Sequence, residues 1–268
     1  MAGTIPNARS DFERSFGSGA GLDWPAMGSQ ETQEAAGAGA VYDAMADAYA
    51  GDAEANAYND LYERPATIAL LPPVRGRDVL DAGCGSGPLS AWLADAGARV
   101  TGFDASERMV ALARARELPR AEFRVADLAA PLPFADDAFD VAVASLVLHY
   151  LRDWEAPLRE LRRVVRPGGA LVCSTHHPAG DVELSRTGRY FDVELLHDRW
   201  EKGGREYDVR FWRRPLTAMF AAFDASGWRV ERLEEPQPLP AVRERDPVAW
   251  RRLTREPAFL FFRLVPAA

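Results

Sequence analysis

Between residues 78 and 175, short apolar runs alternate with stretches whose apolar positions recur every three or four residues. The short runs predict strands at 78–81, 99–103, 122–125, 139–145 and 169–175. The longer periodic stretches predict helices at 88–96, 106–116 and 154–165, the last ended by Gly168-Gly169. Such alternation implies an α/β fold with a parallel sheet covered on both faces. Upstream, a helix pair is expected at Val41 to Tyr49 and Leu61 to Leu71, stopped by Pro72-Pro73. After Thr175 the pattern breaks, and 176–206 carries histidines, aromatics and glycines without a clear period. Tyr207 to Phe211 fits an extra strand, and Leu216 to Ala225 a helix ended by Gly227. Trp228 to Leu233 and Phe259 to Val265 fit the last two strands, with a helix near 247–255 between them. Residues 1–40, rich in Gly, Ala, Ser and charge, are expected to be disordered. The expected organisation is therefore one domain over 41–268, with a substrate lid around 176–215.

The most informative segment is Val79-Leu-Asp-Ala-Gly-Cys-Gly-Ser-Gly87, followed by Pro88. It reads as a buried strand that runs through a tight glycine turn into a helix. Ligands of open α/β sheets bind beyond such strand ends. The dinucleotide fingerprint needs a third glycine where this chain has Pro88, and the phosphate-loop Gly-Lys-Ser/Thr is missing. Asp81 disfavours a polyphosphate and suits a cationic ligand group.

These residues resemble the first motif of the class I S-adenosylmethionine (SAM)-dependent methyltransferases, in their type 11 branch. Asp104 resembles that family's second-strand acid, Ala126-Asp127-Leu128 its third-strand element, and Phe139-Asp140 to His149-Tyr150 its fourth. The resemblance runs from about Tyr42 to Val265. It implies a Rossmann-like, seven-stranded, mostly parallel sheet of order 3-2-1-4-5-7-6, strand 7 antiparallel, flanked by helices. It also implies SAM as cofactor. Gly83, Gly85 and Gly87 would form the floor under the methionine part and ribose, and the helix start at Pro88 would favour the carboxylate. Asp81 would face the ammonium, and Asp104 the ribose hydroxyls unless it caps the following helix. Asp127 and Leu128 would read the adenine, although Asp127 also suits a turn. Ser145 could meet the ammonium. Tyr42 could reach the carboxylate from an amino-terminal helix, or pack with Tyr49 on the sheet; Arg64 could add a cation.

The net charge of −8 argues against nucleic acid, and the arginines at 159, 162, 163 and 166 read as a solvated helix face. No apolar run is long enough to span a bilayer and the amino terminus lacks a secretory core, so a cytoplasmic location is expected. Cys84 and Cys173 make no disulfide framework, and no metal site is expected. Lys202 is the single lysine, and with abundant arginine and alanine it suggests a GC-rich bacterial source.

For the chemistry, His176 and His177 follow the fifth strand, and His177-Pro178 matches a pair common in the resembling branch. Histidine suits a general base near neutral pH, or it anchors the loop. Tyr49 from the opposite wall and His149 are further candidates. Tyr190, Phe191, Trp200, Tyr207, Phe211 and Trp212 supply aromatics for a flat apolar ligand, or for a self-packed lid. The expected activity is methyl transfer to an N, O or C nucleophile of a small aromatic or heterocyclic metabolite in specialised metabolism, by a monomer or homodimer. The alternatives are a nicotinamide-dependent oxidoreductase, or a SAM-binding member that catalyses cyclisation or serves as a non-catalytic module.

Overall fold

The computed structural model describes residues 38–267. Of the stretch expected to be disordered, 1–37 lies outside the described residues, and 38–40 opens the first helix. That helix, α1 (Ala38–Ala55), is followed by a π-helical turn at Asn59–Glu63 and α2 (Arg64–Leu70), which ends just before Pro72-Pro73. The strand–helix alternation then appears as β1 (Asp78–Ala82), α3 (Pro88–Asp95), β2 (Arg99–Asp104), α4 (Glu107–Arg114), β3 (Ala121–Val125) and β4 (Phe139–Ala144). A short 3-10 turn at Leu148–Tyr150 leads to α5 (Glu155–Val164) and β5 (Val165–His176).

Seven strands form one sheet in the order β3-β2-β1-β4-β5-β9-β8, where β8 is Trp228–Glu234 and β9 is Phe259–Pro266. β9 runs antiparallel to both neighbours, and β1 to β5 are mutually parallel. This is the order that the resemblance implies, reached by a different count. Two further strands, β6 (Glu194–Lys202) and β7 (Arg205–Arg213), form a separate antiparallel hairpin. Helix α6 (Leu216–Ala225) precedes β8, and α7 (Val242–Arg245) and α8 (Pro247–Leu253) lie between β8 and β9.

Successive side chains of a strand point to opposite faces. Leu80 accordingly packs with Phe103, Ala142, Trp154, Leu171 and Phe262 on one face, and Val79 with Leu93, Val100, Val141 and Val143 on the other. Each such buried Leu, Val or Phe contributes about 1.5–3 kcal/mol relative to exposure. The register sets Asp81 beside Gly102 of β2 and Val143 of β4, so the carboxyl ends of the central strands lie level.

Gly168-Gly169 does not end α5 as expected. The helix stops at Val164, and the glycines fall inside β5, where the pairing with β4 shifts register. A Cβ on Gly169 would sit 2.6 Å from the Asp140 carbonyl oxygen, so only glycine permits that close approach. No helix among the described residues is long and apolar enough to cross a membrane.

Candidate active site

A cavity of about 1210 Å³ opens over the carboxyl ends of β1 to β4, with α1 and the β6–β7 hairpin on its other side. The turn after β1 forms its floor. Gly83, Gly85 and Gly87 take φ of +73°, +53° and +84°, a region that favours glycine. The amides of Gly83 and Cys84 both donate to the Phe103 carbonyl, which ties the turn to β2 (2.8 and 2.9 Å). A Cβ on Gly83 would sit 2.6 Å from Val147, whereas Gly85 faces open space. α3 begins at Pro88 without a side-chain cap, so its first amides remain available to an anion.

Four acids line the strand-end side of the cavity. Asp81 is 1% exposed, and its carboxylate accepts from Ser90 Oγ (2.6 Å). Burial raises its pKa to about 6, against the Ser90 bond and helped by the Asp104 and Glu63 charges. Asp104 accepts from the amides of Gly85 (2.9 Å) and Ser106 (2.9 Å); burial nevertheless pushes its pKa up. The cap of α4 is Ser106, whose Oγ accepts from the Met109 amide, so Asp104 is not needed as the cap. Asp127 closes a turn by accepting from the Ala129 amide (2.8 Å), and with Leu128 it also lines the cavity. Glu63, from the π-helical turn, accepts hydroxyl bonds from Ser145, Ser174 and Thr67.

The opposite wall is a tyrosine cluster and the hairpin. Tyr42 and Tyr150 share a hydrogen bond between their hydroxyls (2.6 Å), and Tyr49 packs edge-on against Tyr42. Burial raises the Tyr49 hydroxyl to about 12, so it stays protonated at neutral pH. Asp43 fastens α1 to the domain by accepting from Ser106 Oγ and from the Arg108 amide (3.0 Å).

Residues 80–173 match the family described as "Methyltransferase domain". The chain is 38% identical over 133 residues to malonyl-[acyl-carrier protein] O-methyltransferase of Pseudescherichia vulneris, which covers 50% of this chain and 52% of that protein. It is 41% identical over 133 residues to demethylmenaquinone methyltransferase of Clavibacter sepedonicus, which covers 48% and 53%. The chain thus spans about half the length of these curated relatives. In structure it resembles an S-adenosylmethionine dependent methyltransferase from Mesorhizobium loti, with TM-score 0.62 and 28% identity over 79% of this chain and 99% of the other. Residues 80–173 thus match a methyltransferase domain, on the fold of a SAM-dependent methyltransferase.

The methyltransferase domain fits SAM at its strand ends. Gly85 leaves room for a ligand against the backbone, the uncapped start of α3 suits a carboxylate, and buried Asp81 has one oxygen without a hydrogen bond among the described residues. Asp104 and Asp127 keep acceptor capacity beyond the amides they already hold. Tyr42, Tyr49, Asp81, Gly83, Gly85, Asp104, Asp127, Leu128 and Ser145 all line one cavity. Gly87 lies just behind it, its Cα facing Ala113 of α4. Arg64 also lines the cavity and pairs with Asp60 (3.1 Å).

The two consecutive histidines do not join this wall of the methyltransferase domain. β5 carries His176 into pairing with Phe259 of β9, and its ring stacks on His149 (4.2 Å) and meets Phe211 edge-on (4.4 Å). His177 contacts Glu235 through Nε2 (2.8 Å), and its amide donates to the Ala258 carbonyl. Neither histidine is among the residues that line the cavity. His149 is 2% exposed, and burial, His176 and Arg214 hold its pKa well below the usual range.

The expected aromatic wall is likewise redistributed. Alternation along the hairpin turns Leu196 and Phe211 inward against the domain and presents Leu195, His197, Asp208, Arg210 and Trp212 to the cavity. Trp200 stacks on Tyr49 (6.1 Å), and Phe191 is 77% exposed. Glu63 and Tyr150 escaped the sequence reading. Nothing local marks Glu63, whose partners lie 4, 82 and 111 residues away. Cys84 and Cys173 are free and buried, and burial raises both thiols. Among the described residues no group of three or more acids, histidines or cysteines could hold a metal ion.

Proposed function

We propose that this chain transfers a methyl group to an N, O or C nucleophile of a small aromatic or heterocyclic molecule. The observation that carries this reading is the row of polar groups on consecutive strand ends around one cavity. When bound, SAM supplies a methyl group already activated on a sulfonium. Asp104 would hold the ribose, Asp127 and Leu128 the adenine, and the glycine turn the floor. Asp81 and the Ser145 carbonyl would take the ammonium, and the start of α3 or Tyr42 the carboxylate. The tyrosine cluster and Trp212 would keep water out and align the acceptor. Alignment of this kind supplies roughly 7–11 kcal/mol of barrier reduction. Tyr49 stays protonated and can donate a hydrogen bond to an acceptor oxygen or ring nitrogen. The acidic charge balance suits a cytoplasmic enzyme of small molecules, acting as a monomer or homodimer.

Calorimetry tests the cofactor assignment. S-adenosylhomocysteine (SAH) should bind the wild type, and Asp104→Ala should weaken it at least tenfold, which is about 1.4 kcal/mol. Unchanged affinity in a folded Asp104→Ala protein would remove the ribose role. Binding of NAD in place of SAM and SAH would overturn the reading as a whole.

A further inference from the structure

The polar groups along the sheet edge follow strand order. Asp127 follows β3, Asp104 ends β2, Asp81 lies in β1, Ser145 follows β4, and Ser174 lies in β5. Under the proposed function the first four meet adenine, ribose and the methionine end. Neighbouring strands are about 4.8 Å apart. An acceptor must sit in the cavity past the methionine end, beside Ser145, and Ser174 of β5 is buried one step farther along the sheet.

Glu63 spans that step. One carboxylate oxygen accepts three hydroxyls, from Ser145 on the β4 side (2.7 Å), Ser174 in β5 (2.6 Å) and Thr67 in α2 (2.7 Å). Ser174 Oγ in turn accepts from the Leu146 amide (2.9 Å), so its proton is committed to Glu63. The second oxygen of Glu63 accepts no hydrogen bond among the described residues, although the residue is 4% exposed and lines the cavity. That oxygen is open to the cavity, so it is a free acceptor site at a position a bound molecule can reach.

The backbone on both sides departs from regular geometry at this point. Glu63 closes a π-helical turn, a distortion frequent at functional sites. Leu146, next to Ser145, takes a left-handed φ of +47°, which is strained for a bulky residue.

We propose that the free oxygen of Glu63 receives the N–H of the acceptor, and that the acceptor is an amine on a flat apolar body. This rests on the methyl-transfer reading above. A carboxylate only accepts hydrogen bonds, so it selects a donor and repels an anionic acceptor. The nearby Asp81 and Asp104 carboxylates strengthen that preference, and the neighbouring Arg64 is paired with Asp60. Tyr49 and Trp212 line the same cavity and give it an aromatic border beside the flat body. In transfer to an amine, one N–C bond forms as the donor's S–C bond breaks. Sulfur keeps the bonding pair, and the proton lost from nitrogen passes to the free oxygen of Glu63.

The test titrates SAH-loaded protein with three probes of one skeleton: 2-phenylethylamine, 2-phenylethanol and 3-phenylpropanoate. The wild type should bind the amine at least tenfold more tightly than the alcohol or the carboxylate. Glu63→Gln keeps an oxygen for the three hydroxyls and turns an amide toward the cavity. It should lose the amine preference while SAH affinity changes less than twofold. Equal or tighter binding of the carboxylate by the wild type would overturn the proposal without any variant, as would failure of all three probes. Retention of the amine preference in Glu63→Gln would also overturn it. A tenfold loss of SAH affinity in that variant would assign Glu63 to the methionine end instead. Failure of the wild type to bind SAH would strike the underlying reading rather than this one.

Discussion

On the strand-end side the cavity is walled by short local motifs, in which backbone geometry dictates the residue type. Three left-handed glycines and an acid at a strand terminus are fixed by what lies within a few positions of them. On the lid side the wall is made by side chains that meet across long sequence separations. Tyr42 bonds Tyr150, Lys202 of the hairpin pairs with Asp52 of α1 (2.6 Å), and Arg213 holds the loop that precedes β6. Under the proposed function, the first wall receives the constant part of the ligand, and the second can be changed without disturbing it.

This contrast can be broken most sharply at Arg213. Its fully buried guanidinium donates to the carbonyls of Arg189 (2.6 Å), Tyr190 (2.7 Å) and Asp192 (3.2 Å). Arg213→Met should cost about 3–5 kcal/mol of lid stability, the range for opening a buried charged network. Limited proteolysis near residues 185–193 should accelerate while SAH affinity stays within threefold. A matching loss of SAH affinity would mean that the two walls are one cooperative unit.

Asp81 offers the next largest effect, on the other wall. Its carboxyl is raised from 3.8 to about 6 by burial, so between those pH values the folded ligand-free chain holds a proton there that the unfolded chain has released. The associated stability is complete below about pH 4 and is lost as pH rises through 6. Asp81→Asn should therefore make the ligand-free protein more stable at pH 7, by up to about 3 kcal/mol, and should change little at pH 4. Thermal melts at the two pH values check this. In the wild type, SAM affinity should weaken as pH falls through 6, because a cationic ligand prefers the ionised acid.

The smallest effect is expected at His177. His177→Ala removes the Glu235 contact and should lower stability by about 1 kcal/mol. Unchanged SAH affinity and turnover would fit an anchoring role. A loss of turnover alone would return His177 to the chemistry.

What the sequence revealed follows the same division. β1, β2, β4 and α6 lie within a residue or so of their expected bounds, since a buried strand or a helix announces itself through periodicity. The hairpin was half seen. Tyr207 to Phe211 showed as a strand, but its partner Glu194–Lys202 mixes His, Asp, Arg and Trp among few apolar positions. The available signal was Gly203-Gly204, both at positive φ, a pair suited to a two-residue hairpin turn. The histidines at the end of β5 suggested a base from their place beyond the sheet and their ordinary acid–base range. Their surroundings depend on β9, β7 and the segment after β8, which no local pattern brings near them. Glu63 is the extreme case, a residue given meaning only by hydroxyls in β5, just after β4 and in α2.

The level strand ends have a consequence for how such a protein changes over generations. Each carries its polar group on a separate rung of the sheet, so one rung can be rewritten while its neighbours keep their grip. Under the proposed function, alterations at Glu63 and the hairpin would redirect the chain to a new acceptor with the nucleoside end untouched. A scaffold arranged in this way can diversify its chemistry one strand at a time.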